Sequence, residues 1–214
     1  MSLPNTSTTI PRTLTLAAHH LQQNNLDTAR ELLQEIIKNH PNHSEALHTL
    51  GLTEYQSGDI LAAINWIDKA IQSNNQIAIF HANISEMYRQ TKQLDSAIKH
   101  GIDATKINPD DAAAWCNLGI AYFDAYENDL ARQCQFKALK IQHNLVAALN
   151  NLGNLSCREH DFQQAVRYFK SALTANPNDI DVLANLAGVY LEKEQPDDAI
   201  ALLNRARQIQ PFHN

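Results

Sequence analysis

Cysteine, glycine and proline are all scarce in this chain, at three, six and seven of 214 residues. The three cysteines, Cys116, Cys134 and Cys157, are odd in number and fall at unrelated spacings. That fits free thiols in a reducing compartment better than a disulfide framework. The glycines are scattered, which excludes a Gly-rich phosphate loop. No stretch approaches the roughly 18 consecutive apolar residues of a membrane span. Met1 to Thr13 is polar and lacks the apolar segment of a secretory signal. Positive charge is also in deficit: 17 basic against 23 acidic side chains give a net charge of −6. Without a basic block, neither nucleic acid nor an anionic membrane surface is an expected partner. What is present is ordinary for a globular protein, 44% apolar and 19% charged. The length suffices for a sizeable core in one domain or two. The expectation is a soluble, cytoplasmic protein.

The few prolines carry the organisation. Pro41, Pro109, Pro177 and Pro211 lie 68, 68 and 34 residues apart, and the two skipped slots fall on Asn75 and His143. A 34-residue period divides the chain into a polar tail, 1–9, and six units: 10–43, 44–77, 78–111, 112–145, 146–179 and 180–213. The twentieth place is alanine throughout: Ala29, Ala63, Ala97, Ala131, Ala165 and Ala199. The eighth is always small: Ala17, Gly51, Ser85, Gly119, Gly153 and Ala187. The seventh is Leu16, Leu50, Ile84, Leu118, Leu152 and Leu186. The twenty-seventh is Ile36 and then Ala70, Ala104, Ala138, Ala172 and Ala206.

Within each unit the apolar residues recur at helical spacing. Trp115, Leu118 and Tyr122 share one helix face, and so do Ala165, Phe169 and Ala172. Polar turns such as Ser57-Gly58-Asp59 and Gln195-Pro196-Asp197 split each unit into two helices. Pro196 suits the first turn of a helix, and prolines after the second helix stop it. Small residues at the eighth and twentieth places let the paired helices approach closely.

Trp115, Leu118, Gly119, Tyr122, Ala131 and Ala138 in unit four resemble the pattern of the tetratricopeptide repeat family. So do Leu149, Leu152, Gly153, Ala165, Phe169, Ala172 and Pro177 in unit five. The resemblance implies an all-α fold, a right-handed superhelical solenoid of six helix-turn-helix repeats. Unit one departs with Thr13 and His20 where aromatics are usual, as a terminal repeat does. Unit three has Gly101 where a bulky apolar residue is usual, which predicts a soft junction between units three and four.

The resemblance also implies that the first helices line a concave groove. The groove places include Asn83, Asn117, Asn151 and Asn185, an asparagine in four consecutive units. A carboxamide carries both a donor and an acceptor and can hold a peptide backbone without reading its sequence. The repeat arm of O-GlcNAc transferases, which this stretch resembles, carries the same ladder. The other reading is that each asparagine bonds the neighbouring helix. Tyr55, Arg89, Phe123, Asn150, Asn154 and Arg158 complete the candidate groove. The second, fifth and ninth places hold no Lys or Arg, which argues against capture of a C-terminal carboxylate. An extended segment with small or apolar side chains, held through its backbone, is the expected ligand.

No catalytic residue, metal site or cofactor is expected. His40, His43 and His48 lie close in sequence, but no cysteine or carboxylate cluster completes a metal set. The cysteines have no basic neighbour to activate them. Trp66 and Trp115 read as packing residues. The leading function is a protein-interaction scaffold. A second reading has the chain as the substrate-recognition arm of a larger transferase, O-GlcNAc-transferase-like or a sulfotransferase. A third has the last unit, bare at Ile200 and Leu203 with no capping helix, serve self-association.

Overall fold

A computed structural model describes residues 6–210, with side chains from residue 10. Each 34-residue unit becomes two antiparallel helices: α1 Thr6–Gln22 and α2 Leu26–Asn39; α3 Ser44–Gln56 and α4 Ile60–Ser73; α5 Ala78–Gln90 and α6 Leu94–Ile107. Three further pairs follow: α7 Ala112–Asp124 and α8 Asn128–Ile141; α9 Val146–Arg158 and α10 Phe162–Ala175; α11 Ile180–Glu192 and α12 Pro196–Ile209. α1 begins at Thr6, so residues 6–9 of the expected tail are helical, and Pro11 lies inside α1. Residues 1–5 and the terminator Pro211 lie outside the described residues. Two compact units divide the chain, Met1–Pro109 and Asp110–Asn214, at the end of the third repeat. Among the described residues no helix is long and apolar enough to cross a membrane.

The periodic columns are the core. All six twentieth-place alanines are buried, as are the small residues of the eighth place. A Cβ added at Gly51 or Gly153 would come within 3 Å of Ile67 or Phe169 in the facing helix. Ser85 fits the same column another way, donating its hydroxyl to the Ala97 carbonyl of α6 at 2.7 Å. Leu50, at the seventh place, packs on Leu33 and Ile36 of the preceding helix pair. No described pair precedes Leu16, and it is 45% exposed. At the other end Ile200 and Leu203 are also exposed.

The turn inside each repeat has one geometry. The fifteenth-place residue is left-handed in all six: Asn24, Gly58, Lys92, Tyr126, His160 and Glu194, with φ between 57° and 93°. The N–H of the next residue reaches back to close each turn, for example Gln93 to the Tyr88 carbonyl at 2.9 Å. This is the six-to-one bond of a Schellman cap, satisfying carbonyls that the helix end would otherwise orphan. The same residue starts the second helix. Asp59 and Asp161 cap it with their carboxylates, accepting from Ala62 and Gln164. Between repeats, Pro41, Pro109 and Pro177 each follow the C-cap of the second helix directly, and Asp111 and Asp179 cap the next.

Candidate functional site

In the first unit, the asparagine of repeat three turns toward its neighbour. Asn83 of α5 donates its Nδ2 to Nε2 of His48 on α3 at 2.9 Å. His48 is buried and stacks on Phe80, ring centroids 4.4 Å apart. Burial pushes its pKa down to about 4, so the ring is neutral and its lone pair accepts the amide. Tyr55 and Arg89 belong to one polar chain. The Gln90 amide donates to the Tyr55 hydroxyl at 2.7 Å and to Glu86 at 2.8 Å. Arg89 donates twice to the same Glu86 carboxylate. Burial works to raise the Glu86 pKa, but the bonds from Arg89 and Gln90 outweigh it and hold the carboxyl below its ordinary value.

In the second unit the same register repeats. Asn151 of α9 donates to the Cys116 sulfur of α7 at 3.2 Å. Asn185 of α11 donates to Oδ1 of Asn150 on α9 at 2.9 Å. In each pair the sixth place of one repeat bonds the fifth place of the repeat before. Among the described residues Asn117 and Asn154 make no side-chain hydrogen bond, and Oδ1 of Asn83, Asn151 and Asn185 accepts none.

Two cavities open along this second unit. The first, about 140 Å³, is lined by Ile120, Phe123, Gln135, Asn151 and Asn154 among others. The second, about 440 Å³, is lined by Asn154, Cys157, Phe162, Asn185 and Gly188 among others. Asn154 belongs to both. Gln135 is buried, and its Nε2 donates to the Cys116 carbonyl, while its Oε1 has no partner among the described residues. Buried acceptors of this kind are rare and call for a donor. Arg158 lies over Phe123, its guanidinium carbon 3.2 Å from the ring centre, and donates to the Phe123 carbonyl. The structure thus brings Phe123, Asn151, Asn154 and Arg158 together, and pairs Asn150 with Asn185.

The sequence pointed to His48 only as a neighbour of His40 and His43, and did not single out Glu86, Gln90 or Gln135. His48 occupies a groove place, so the periodic pattern held the signal. Gln135 stands at the twenty-fourth place, where Phe169 stands one repeat later, and a polar residue in that column was a visible anomaly. Burial raises Cys116 to about 11, with the Asn151 hydrogen bond working against it, and Cys134 to about 12, which leaves both as thiols at neutral pH. Trp66 and Trp115 pack against the helix cores, with Lys69 over the first ring.

His40, His43 and His48 do not converge. His40 is exposed, His43 caps α3 by accepting from Ala46, and His48 is taken by Asn83. A different group does: His81, His100 and Asp103 of the third repeat present ligand atoms within 4.8 Å of one another. Burial, and after it the facing His81, lower the His100 pKa.

Tandem antiparallel helix pairs in a fixed 34-residue register, presenting repeated polar places, define the class of α-solenoid repeat proteins. The chain belongs to the tetratricopeptide repeat family. Family models described as tetratricopeptide repeat match residues 14–78 and 158–213, and one described as TPR repeat matches 86–125. A curated relative, the tetratricopeptide repeat-containing protein trd-1 of Caenorhabditis elegans, is 24% identical over 86% of this chain and 23% of its own length. The chain spans 15–38% of the length of the first curated relatives it matches. Among solved structures, a tetratricopeptide repeat protein from Parabacteroides merdae superposes with a TM-score of 0.81 at 16% identity, over 94% of this chain and 80% of that one. YrrB, described as a TPR protein with an unusual peptide-binding site, gives 0.61 at 18% identity over 85% and 93%. These likenesses establish the fold.

Proposed function

We propose that this chain is a protein-interaction scaffold, and that α7, α9 and α11 hold an extended peptide segment. The observation that carries the reading is the pair of adjoining cavities sharing Asn154. Along them Asn154 has a whole carboxamide to offer, and Asn151 and Asn185 keep an acceptor for a peptide N–H; Asn117, outside both linings, carries a further whole carboxamide at the equivalent place of the preceding repeat. Gln135 Oε1 adds an acceptor in want of a donor. Asn151 and Asn185 then do two jobs: the amide nitrogen ties neighbouring repeats, and the oxygen faces the ligand. Ile120, Phe123 and Gly188 favour small or apolar side chains on the segment. YrrB, with its peptide-binding site, supports the same use of the fold. Thiols held protonated by burial support a chain that binds rather than catalyses.

The test selects binders from a random linear peptide library on the purified chain. It then measures the enriched peptides against Asn117→Ala and Asn154→Ala, two variants that break no internal hydrogen bond. Each lost bond is worth about 0.5–1.5 kcal/mol, so the double variant should weaken binding about tenfold or more while its melting stays unchanged. Enriched peptides that bind both chains equally would sink the groove reading.

A further inference from the structure

The third repeat carries a side-chain cluster on its α5–α6 hairpin that peptide binding does not use. His81 of α5 is 4% exposed, so its ring is held by packing. Its Nε2 faces the Asn75 backbone carbonyl at 3.2 Å. A carbonyl can only accept, so Nε2 carries the hydrogen and Nδ1 keeps its lone pair. That lone pair faces Nδ1 of His100 on α6 at 3.1 Å, and Oδ2 of Asp103 stands 4.0 Å away. His100 and Asp103 are three residues apart on one helix and therefore share a face. Tyr88 stacks on His100 with an interplanar angle of 15° and fixes its other side, while the Tyr88 hydroxyl donates to Asp68 at 3.0 Å.

We propose that His81, His100 and Asp103 form a binding site for a divalent transition-metal ion of the zinc type. Two imidazole nitrogens bound to one tetrahedral zinc, at about 2.0–2.1 Å each, stand about 3.3 Å apart. The two Nδ1 atoms are already spaced that way. Asp103 is partly exposed and closes the triangle by a side-chain rotation. A ligating histidine whose other nitrogen donates to a backbone carbonyl is the usual outer-shell arrangement, because it fixes both tautomer and ring plane. Three protein ligands leave a fourth position for water. Zinc here clamps α5 to α6 in the repeat where Gly101 leaves no bulky side chain at the twenty-fourth place.

The full chain, stripped with chelator and dialysed, is titrated with zinc by calorimetry and with cobalt(II) by visible absorption. The expected result is one ion per chain, cobalt bands of a four- or five-coordinate site, and a melting temperature that rises with zinc concentration. His81 is buried and its loss risks the fold, so the test uses His100→Gln and Asp103→Asn, each checked by circular dichroism. Outer-shell changes alone cost about 10–100-fold in metal affinity, so each ligand variant should lose at least about tenfold. A variant lacking two exposed histidines, His40→Gln with His143→Gln, should bind as the native chain does. Absence of saturable one-to-one binding overturns the proposal. So does binding that survives both ligand variants, or binding that the His40 and His143 changes abolish.

Discussion

His48 illustrates how much one side chain depends on its neighbours. It stacks on Phe80 and accepts from Asn83, and the second contact needs the ring's Nε2 unprotonated. Burial lowers its pKa from 6.5 to about 4. The unfolded chain takes up a proton on this ring below about pH 6.5, the folded chain only below about 4. The unfolded state therefore binds more protons in that window, and stability falls as pH drops from about 6.5 toward 4. Between pH 7 and pH 5 this one group should cost about 2 kcal/mol. His48→Gln, which keeps a polar partner for Asn83 but cannot titrate, should flatten that part of the profile. Urea unfolding at the two pH values measures it, and equal slopes in both chains would refute the assignment.

At the scale of the helix pair, the left-handed turn is common to all six repeats although only Gly58 is a glycine. An L residue in this conformation costs about 1–2 kcal/mol from its Cβ. The closing hydrogen bond and the packing of the two helices offset that cost. Lys92 and Glu194 are exposed and make no contact that the turn needs. Lys92→Gly and Glu194→Gly should each stabilise by about 0.5–1 kcal/mol, net of the extra chain entropy of glycine. The urea midpoint reads this directly, and a drop in midpoint for both would mean that side chains hold these turns. The two helices of each repeat were legible from their apolar spacing. Their left-handed joint was not, because a turn geometry set by the approach of two helices tolerates Asn, Lys, Tyr, His or Glu alike.

Across the whole molecule, stability in a repeat array is a sum of local pairs and nearest-neighbour interfaces. Ala165 is fully buried beside Phe169 and Leu149. Ala165→Phe adds a ring where none fits, and overpacking costs about 1–3 kcal/mol or more. The loss should be local: hydrogen exchange should accelerate in α9 to α12 while the amides of residues 6–109 keep their protection. Uniform loss of protection along the chain would show that the array unfolds as one cooperative body.

The sequence by itself determined the repeat length, the all-α fold, the buried columns and the places where helices stop. A 34-residue period writes these features six times, and burial in each copy follows from helical spacing alone. It also placed Asn83, Asn151 and Asn185 at equivalent positions, while leaving open whether they serve a ligand or a neighbour. Only the tertiary structure decided that their amide nitrogens go to His48, Cys116 and Asn150 on the preceding repeat. Only it placed His81 against His100, nineteen residues away across the α5–α6 turn, and left Gln135 Oε1 without a donor among the described residues. These features occur once each, so no periodicity announces them. They arise when helices pack at a few ångströms and one rotamer meets another.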